Sequence, residues 1–407
     1  MTRVSVASDG TESERESRNP AISADGRYVA FESSASNLVP GDTNGTLDVF
    51  VHDRVTGETT RVSVAFDGTQ GNGHSRSPAI SADGRYVAFE SVATNLVPSY
   101  ADGRYHVFVH DRVTGETTRV SDAFDGTQGN AHSGHPAISA DGRYVAFDSR
   151  ATNLVPDDTN NAADVFVHDR LTGETTRVSV LSGGAQSDGL SEHPTMSADG
   201  RYVTFESHAR NLVPDDTNAM GDVFVHDRVT GETTRVSVAS DGTESGAHSL
   251  YPAISGDGRY VAFESWGSNL VPDDTNGGAD VFVHDRVTGE TTRVSVASDG
   301  AQADGRSERA TISADGRYVA FESYASNLVP GDTGLIFQVF VHDRVTGEAT
   351  RVSVASDGTR GDSISRNSSI SGDGRYVAFE SYSTNLVPGD TNAVGDVFVR
   401  DLHAGLT

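Results

Sequence analysis

The sequence predicts an all-β fold: a seven-bladed β-propeller with four antiparallel strands per blade, its N-terminal strand completing the last blade. Three observations predict it. One unit recurs seven times without insertion or deletion. Each unit carries four short strand signals. The two chain ends are complementary halves of one blade.

The repeat is the first element. Asp-Gly-Arg-Tyr begins at Asp25, Asp83, Asp141, Asp199, Asp257, Asp315 and Asp373, a constant step of 58 residues. Seven such units and an initiator Met account for all 407 positions. The units begin at Thr2, Thr60, Thr118, Thr176, Thr234, Thr292 and Thr350, so residues 1–407 read as one propeller domain.

The strands come next. In the first unit they are Thr2–Val6, a short one at Ala21–Ser23, Tyr28–Glu32 and Asp48–His52. The turn residues Ser8-Asp9-Gly10, Ala24-Asp25-Gly26, Pro40-Gly41-Asp42 and Thr56-Gly57-Glu58 separate them. Four strands repeated around a ring is the arithmetic of a propeller. A solenoid needs atypical end repeats, and the end copies here are ordinary. Val29 and Phe31 alternate with Tyr28 and Ala30, so both strand faces are apolar, as a blade between two neighbours requires.

The ends supply the last element of the fold. The chain stops soon after Asp396-Val397-Phe398-Val399 with no following Thr-Arg-Val-Ser-Val, and it begins with that missing strand. Pairing the two closes the ring and removes both open sheet edges. A monomer is expected.

Composition agrees and excludes several functions. Hydrophobic residues make up only 35% of the chain, Gly numbers 43, and Cys is absent, which excludes disulfides and thiolate chemistry. No apolar run approaches the ~18 residues that cross a membrane, so membrane insertion is not expected. The net charge is −27. That excludes nucleic acid, which needs clustered cations, and suits cations or basic partners. No basic-then-apolar leader is present at the N-terminus. The expectation is a cytosolic protein or, with a signal peptide removed, an extracellular or periplasmic one.

Ile22-Ser23-Ala24-Asp25-Gly26-Arg27-Tyr28-Val29-Ala30-Phe31, then Asp48-Val49-Phe50-Val51-His52-Asp53 and Thr56-Gly57, resembles the TolB-type, WD-repeat-like propeller repeat of bacteria. The resemblance covers all seven copies. It implies the fold and leaves function open, because such propellers serve as protein-binding scaffolds, sugar binders and enzyme domains. The chain lacks the additional N-terminal domain of TolB, so a Pal-type lipoprotein partner does not carry over. The close likeness of the copies resembles recently amplified or designed propellers.

Differences between copies concentrate in two loops. One precedes the inner strand and holds the columns Glu16, His74, His132, Leu190, His248, Arg306, Ile364; then Arg18, Arg76, Gly134, Glu192, Leu250, Glu308, Arg366; then Asn19, Ser77, His135, His193, Tyr251, Arg309, Asn367. The other opens with Ser34, Val92, Arg150, His208, Trp266, Tyr324 and Tyr382. Antiparallel strands put both loops on one face and the invariant Asp-Gly-Arg and Thr-Gly turns on the other. Exposed loops drift freely, but these columns sample aromatic, His and charged types. The expected ligand-binding residues are Trp266, Tyr324, Tyr382, Tyr251, Arg309, Arg366, His208 and Arg150.

Five copies hold Asp-Thr-Asn-x-x-x-Asp: Asp42, Asn44 and Asp48; Asp158, Asn160 and Asp164; Asp216, Asn218 and Asp222; Asp274, Asn276 and Asp280; Asp390, Asn392 and Asp396. Copies two and six break it, with Tyr100, Asp102 and His106, and with Asp332, Gly334 and Gln338. The spacing is that of calcium loops and resembles those of integrin α-subunit propellers. It predicts weak Ca2+ binding, Kd ~10⁻⁴–10⁻³ M. The competing expectation is an Asx turn. Asp53 cannot close the same site, because the strand between puts it roughly 16 Å from Asp48.

A ring of acids, Glu32, Glu90, Asp148, Glu206, Glu264, Glu322 and Glu380, either pairs with neighbouring Arg or lines the upper channel as a cation site. His52, His110, His168, His226, His284 and His342 recur on one strand. Arg400 replaces them in copy seven, which favours a scaffold hydrogen bond over metal ligation. No nucleophile elbow, phosphate loop or two-His metal motif appears. The function expected is a binding module for a protein or glycan. The alternatives are a ligand-free designed or consensus-like scaffold and an enzyme with a channel-mouth site.

Overall fold

Every repeat becomes one antiparallel sheet, and seven sheets stand around a common channel. The computed structural model describes residues 1–98, 102–332, 334 and 336–403. Among them are twenty-eight strands, β1 to β28, in seven sheets. From the channel outward, the first blade runs β2 (Ser17–Ile22), β3 (Tyr28–Ser33), β4 (Asp48–Asp53) and β5 (Thr59–Arg61).

Closure follows the prediction. Strand β1 (Thr2–Arg3) pairs with β28 (Asp396–Asp401), Thr2 opposite Val399 and Arg3 opposite Phe398. Val4 N–H donates to the Val397 carbonyl at 2.9 Å. The ladder is shorter than the five residues expected because side chains take over from the backbone. Ser5 Oγ donates to Asp396 Oδ1 at 2.6 Å and accepts from Val397 N–H at 3.1 Å.

The core lies between blades. Val29, Phe31 and Phe50 of blade one pack with Ala378, Val397 and Val399 of blade seven. Phe31 and Phe50 stack at 5.8 Å, fully buried, and the pair recurs around the ring. Each buried Phe contributes roughly 1.5–3 kcal/mol.

The invariant turn has a packing reason. Gly84 holds φ +72°, and a Cβ there would lie 2.1 Å from Cδ2 of Tyr28 in the preceding blade. The Tyr28 ring is held between two guanidinium groups, Arg27 at 4.8 Å and Arg112 at 4.4 Å. Arg27 also makes a two-bond fork to Asp53, at 2.9 and 2.7 Å. Asp-Gly-Arg-Tyr is therefore a blade-to-blade joint.

The inner strand is the main departure from expectation. It spans six residues instead of three, and its pairing with β3 shifts register between Arg18 and Ala21. Asn19 sits in that bulge at φ 50°. The equivalent Ser77, His135, His193, Tyr251, Arg309 and Asn367 all lie between 47° and 53°. A column expected in a loop is thus a ring of left-handed residues within the strands that line the channel.

Candidate functional site: the channel mouth

The bulge turns its seven side chains toward the channel, where they line a cavity of about 470 Å³. A bulge re-aims a side chain at the cost of local strain. His, Asn and Ser tolerate this backbone better than Tyr251 and Arg309 do.

The ring is lopsided. His135 and His193 have ring centres 4.3 Å apart, and His193 and Tyr251 are 4.8 Å apart. The Arg309 guanidinium lies over Tyr251 at 4.7 Å. This makes one continuous arc across blades three to six. The remaining positions are small and polar: Ser77, Asn19 and Asn367, with Asn367 Nδ2 donating to Asn19 Oδ1 at 3.0 Å.

The acid ring stands directly behind this arc and pairs in two directions. In six of the seven junctions the bulge N–H of one blade donates to the acid of the preceding blade, as Ser77 N–H does to Glu32 at 2.7 Å. At the remaining junction, a Cβ on Gly134 would come within 2.2 Å of Glu90 Oε2, so Gly keeps room for that carboxylate.

Each acid also meets side chains of its own blade, with two exceptions. Arg18 bonds Glu32 at 2.7 Å, Arg76 bonds Glu90 at 2.8 Å and Arg366 bonds Glu380 at 2.5 Å. His135 Nδ1 is 2.7 Å from Asp148, and His193 Nδ1 is 3.0 Å from Glu206. Burial opposes the charge of His135, but the hydrogen bond and charge of Asp148 outweigh it and push the imidazole up to about 9. In blades five and six the corresponding residues are Leu250 with Tyr251 and Glu308 with Arg309. Burial raises Glu264 to about 7 and Glu322 to about 8, although the N–H groups of Arg309 and Asn367 pull the other way.

The outer columns meet one another, as expected. The N–H of Val92, Arg150, His208, Trp266, Tyr324 and Tyr382 each bonds the carbonyl of the facing loop column, such as Trp266 N–H to the His248 carbonyl at 3.1 Å. Trp266 is 39% exposed and Tyr324 43%. Tyr324 meets Phe337 edge-on at 5.6 Å. Tyr382 is already engaged: its hydroxyl donates to Glu16 and Arg366 lies 5.7 Å over its ring. His208 faces His248 at 5.5 Å, and Arg150 reaches Glu192 at 3.7 Å. Tyr251 and Arg309 therefore belong to the channel mouth and Arg366 is spent on Glu380 and Tyr382, while Trp266, Tyr324, His208 and Arg150 form its outer rim.

The Asp-Thr-Asn loops sit apart, and their geometry is that of Asx turns. Asn44 Oδ1 accepts from Thr46 N–H at 2.9 Å, and its Nδ2 donates to Asp48 at 2.9 Å. Asn160, Asn218, Asn276 and Asn392 make the same two bonds beside Asp164, Asp222, Asp280 and Asp396. Gln70 Nε2 bridges Asp42 and Asp48 at 2.7 and 3.2 Å, and Arg61 Nη1 lies 3.5 Å from Asp42. Gln186 and Gln302 repeat the bridge at Asp158 and Asp274. Glu12 takes that place beside Asp390 and Asp396, where Arg3 Nη1 lies within 3.4 Å of all three acids. In blade four Glu244 replaces Gln. Asp216, Asp222 and Glu244 each bring an oxygen within 4.8 Å of the others, a triad able to hold a metal ion. Arg235 Nη1 lies 2.7 Å from Glu244 and 3.5 Å from Asp222. Tyr100 lies outside the described residues.

The recurring His bonds its neighbour on the outer strand, as His52 Nδ1 does with Thr59 Oγ1 at 2.9 Å. Sequence reasoning missed the bulge. Its available signal was the dipeptide at its centre: Asn-Pro, Ser-Pro or His-Pro, which marks a turn inside an apparent strand.

No protein-family model and no curated protein matches the chain. Solved structures match it in fold. The β-propeller domain of the trilobed protease from Pyrococcus furiosus, described as having an open velcro topology, aligns at TM-score 0.57 and 12% identity over 95% of each chain. An oligogalacturonate lyase in complex with manganese aligns at TM-score 0.56 and 16% identity over 95% of this chain and 89% of that one. TolB from Acinetobacter baumannii is also among the neighbours, at TM-score 0.43 and 15% identity over 93% and 81%. At these identities the likeness is one of fold alone, and the chain is a seven-bladed β-propeller.

Proposed function

We propose that the chain is a binding module that receives part of a protein or glycan ligand at its channel mouth. The observation that carries this reading is the arc His135–His193–Tyr251–Arg309 on four of seven equivalent backbone positions, opposed by Asn and Ser on the other three. Trp, Tyr and Arg bury much area with few rotors, which is why they dominate binding hot spots. Trp266 and Tyr324 extend the surface outward. Screening protein and glycan libraries, then mapping the footprint by hydrogen exchange, tests it. Tyr251→Ala and Arg309→Ala are each expected to cost roughly 1–3 kcal/mol of affinity. A footprint on the Asp-Gly-Arg face would sink the reading.

The acidic triad favours a second, separate site. The five-loop calcium proposal narrows to Asp216, Asp222 and Glu244, where a divalent cation would displace Arg235. Calorimetry with calcium and with manganese, on the chain and on Glu244→Gln, decides it. Heat that survives Glu244→Gln would rule the triad out.

A further inference from the structure

We infer that the channel mouth at blades five and six binds an ammonium or guanidinium group presented by a basic protein segment. This rests on the proposal that the mouth is the ligand site and names the chemistry it selects.

The protein supplies its own model of the ligand. In blades one and seven, the acid of the ring takes an N–H from a guanidinium, at 2.7 Å for Arg18 and 2.5 Å for Arg366. In blades three and four it meets an imidazole nitrogen. Among the described residues of blades five and six, no donor of the same blade reaches Glu264 or Glu322. Each carboxylate is 2% exposed and has one oxygen on a bulge N–H, Glu264 Oε2 from Arg309 and Glu322 Oε1 from Asn367. The second oxygen of each makes no hydrogen bond among the described residues. Leu250 stands where Arg18 stands in blade one, and Glu308 stands there in blade six. Arg309, the cation that acts on both acids, forms no ion pair within 4 Å among the described residues and lies over Tyr251 instead. The two acids stand in adjacent blades, bonded to the backbone of Arg309 and Asn367, which line the cavity, and together they lack the positive charge that other blades carry.

The titration of these acids agrees. The charged groups facing Glu264 are Arg309, Glu308 and Glu206, and those facing Glu322 are Arg309, Glu308 and Glu380. Burial lifts both acids, and one arginine among several carboxylates does not offset it, so near neutrality Glu264 is about half protonated and Glu322 mostly so. A cation entering the mouth displaces a proton, which leaves to solvent. Affinity must then weaken about tenfold for each pH unit below the acids' own range. The net charge of −27 draws basic segments to the molecule.

The test is calorimetry on the full chain with N-acetyl-lysine amide, N-acetyl-arginine amide, glucosamine and N-acetyl-aspartate, at about pH 6 and about pH 9. Saturable heat is expected from the lysine and arginine probes, stronger at the higher pH and dependent on the ionisation heat of the buffer. The paired change Leu250→Arg with Glu308→Arg places guanidinium groups where blades one and seven have them. It is expected to reduce binding at least tenfold and to raise the melting temperature. Glu264→Gln with Glu322→Gln should also lose at least tenfold while retaining the bulge N–H bonds. Absence of heat from both cationic probes at the higher pH overturns the inference. So does preference for the aspartate probe, or binding unchanged by the arginine pair. Stronger binding of glucosamine than of either amino-acid probe replaces the protein segment with an amino sugar and refutes the source named here. A screened partner whose footprint lies at the mouth while these probes fail refutes the inference alone and leaves the binding module standing.

Discussion

At the Asp-Gly-Arg face the blades join through interlocked side chains and a ring of backbone bonds, such as Ala24 N–H to the Ala82 carbonyl at 3.0 Å, and at the opposite mouth they join through a backbone N–H on a carboxylate. On the first face Tyr28 fits against Gly84 and between Arg27 and Arg112; the Tyr, the Gly and the first Arg are fixed at every junction, and Leu402 takes the place of the second Arg near Tyr318. At the mouth the junction is a bulge N–H on a carboxylate, which any residue but Pro can supply. The same ring therefore tolerates Asn, Ser, His, Tyr and Arg at one place and nothing but Gly at another. Invariance here marks a packed joint, and variety marks a joint that leaves its side chains free for other work. The exposed Val55 is an exception: it is 74% exposed, and nothing in the structure explains its recurrence.

The largest effect expected from this contrast is on stability. Gly84→Ala drives a Cβ into Tyr28 and forces an L-residue to φ +72°, and should cost about 3 kcal/mol or more. Gly10→Ala, also at positive φ but with open space around it, should cost roughly 1–2 kcal/mol. Denaturant melts of the two variants measure the difference. Equal costs would break the claim that the constant face is a joint.

The faces should also fail at opposite ends of the pH scale. The fork from Arg27 holds Asp53 well below the usual carboxylate range, and Arg85 does the same for Asp111. That stability is present above about pH 4, the unfolded carboxylate value, and is lost as the pH falls below it. Burial does the reverse to Glu264 and Glu322, at about 7 and about 8. The unfolded chain gives up these protons first. Their stability is full below about pH 4 and lost as the pH rises toward about 8. Melting temperature against pH should show both arms, and Leu250→Arg with Glu308→Arg should flatten only the alkaline one.

A smaller gain is expected at the outer strand. Among the described residues His342 Nδ1 has no hydrogen-bond partner, because Ala349 replaces the Thr that His284 meets through Thr291 at 2.9 Å. Ala349→Thr should add about 1 kcal/mol, read as a shifted denaturation midpoint. The smallest effect belongs to the rim. Trp266→Ala should change stability by no more than ~0.5 kcal/mol. A larger loss would mean that the ring is part of a joint and not held ready for a ligand.

The blade number, the strand signals and the closure were legible in the chain because they depend on local pattern and on a repeat of constant length. Tyr28–Phe31 reads as a strand in any context, and complementary chain ends can pair in only one way. The resemblance of Asp-Gly-Arg-Tyr to the TolB-type repeat pointed to the same architecture. The channel mouth was legible only as columns of unlike residues. Placing Tyr251 and Arg309 inside the inner strand required the register shift, which depends on pairing with the next strand. Joining Glu32 to Ser77 required two blades in contact, and leaving Glu264 and Glu322 without a cation of their own blade required the pairing of two strands within it. The sequence by itself determined how many blades there are and how the ring closes, because those follow from order along the chain. Only the tertiary structure decided which carboxylates are neutralised, because charge balance is set by neighbours in space on another strand, such as Arg18 beside Glu32, that lie 14 residues apart in sequence.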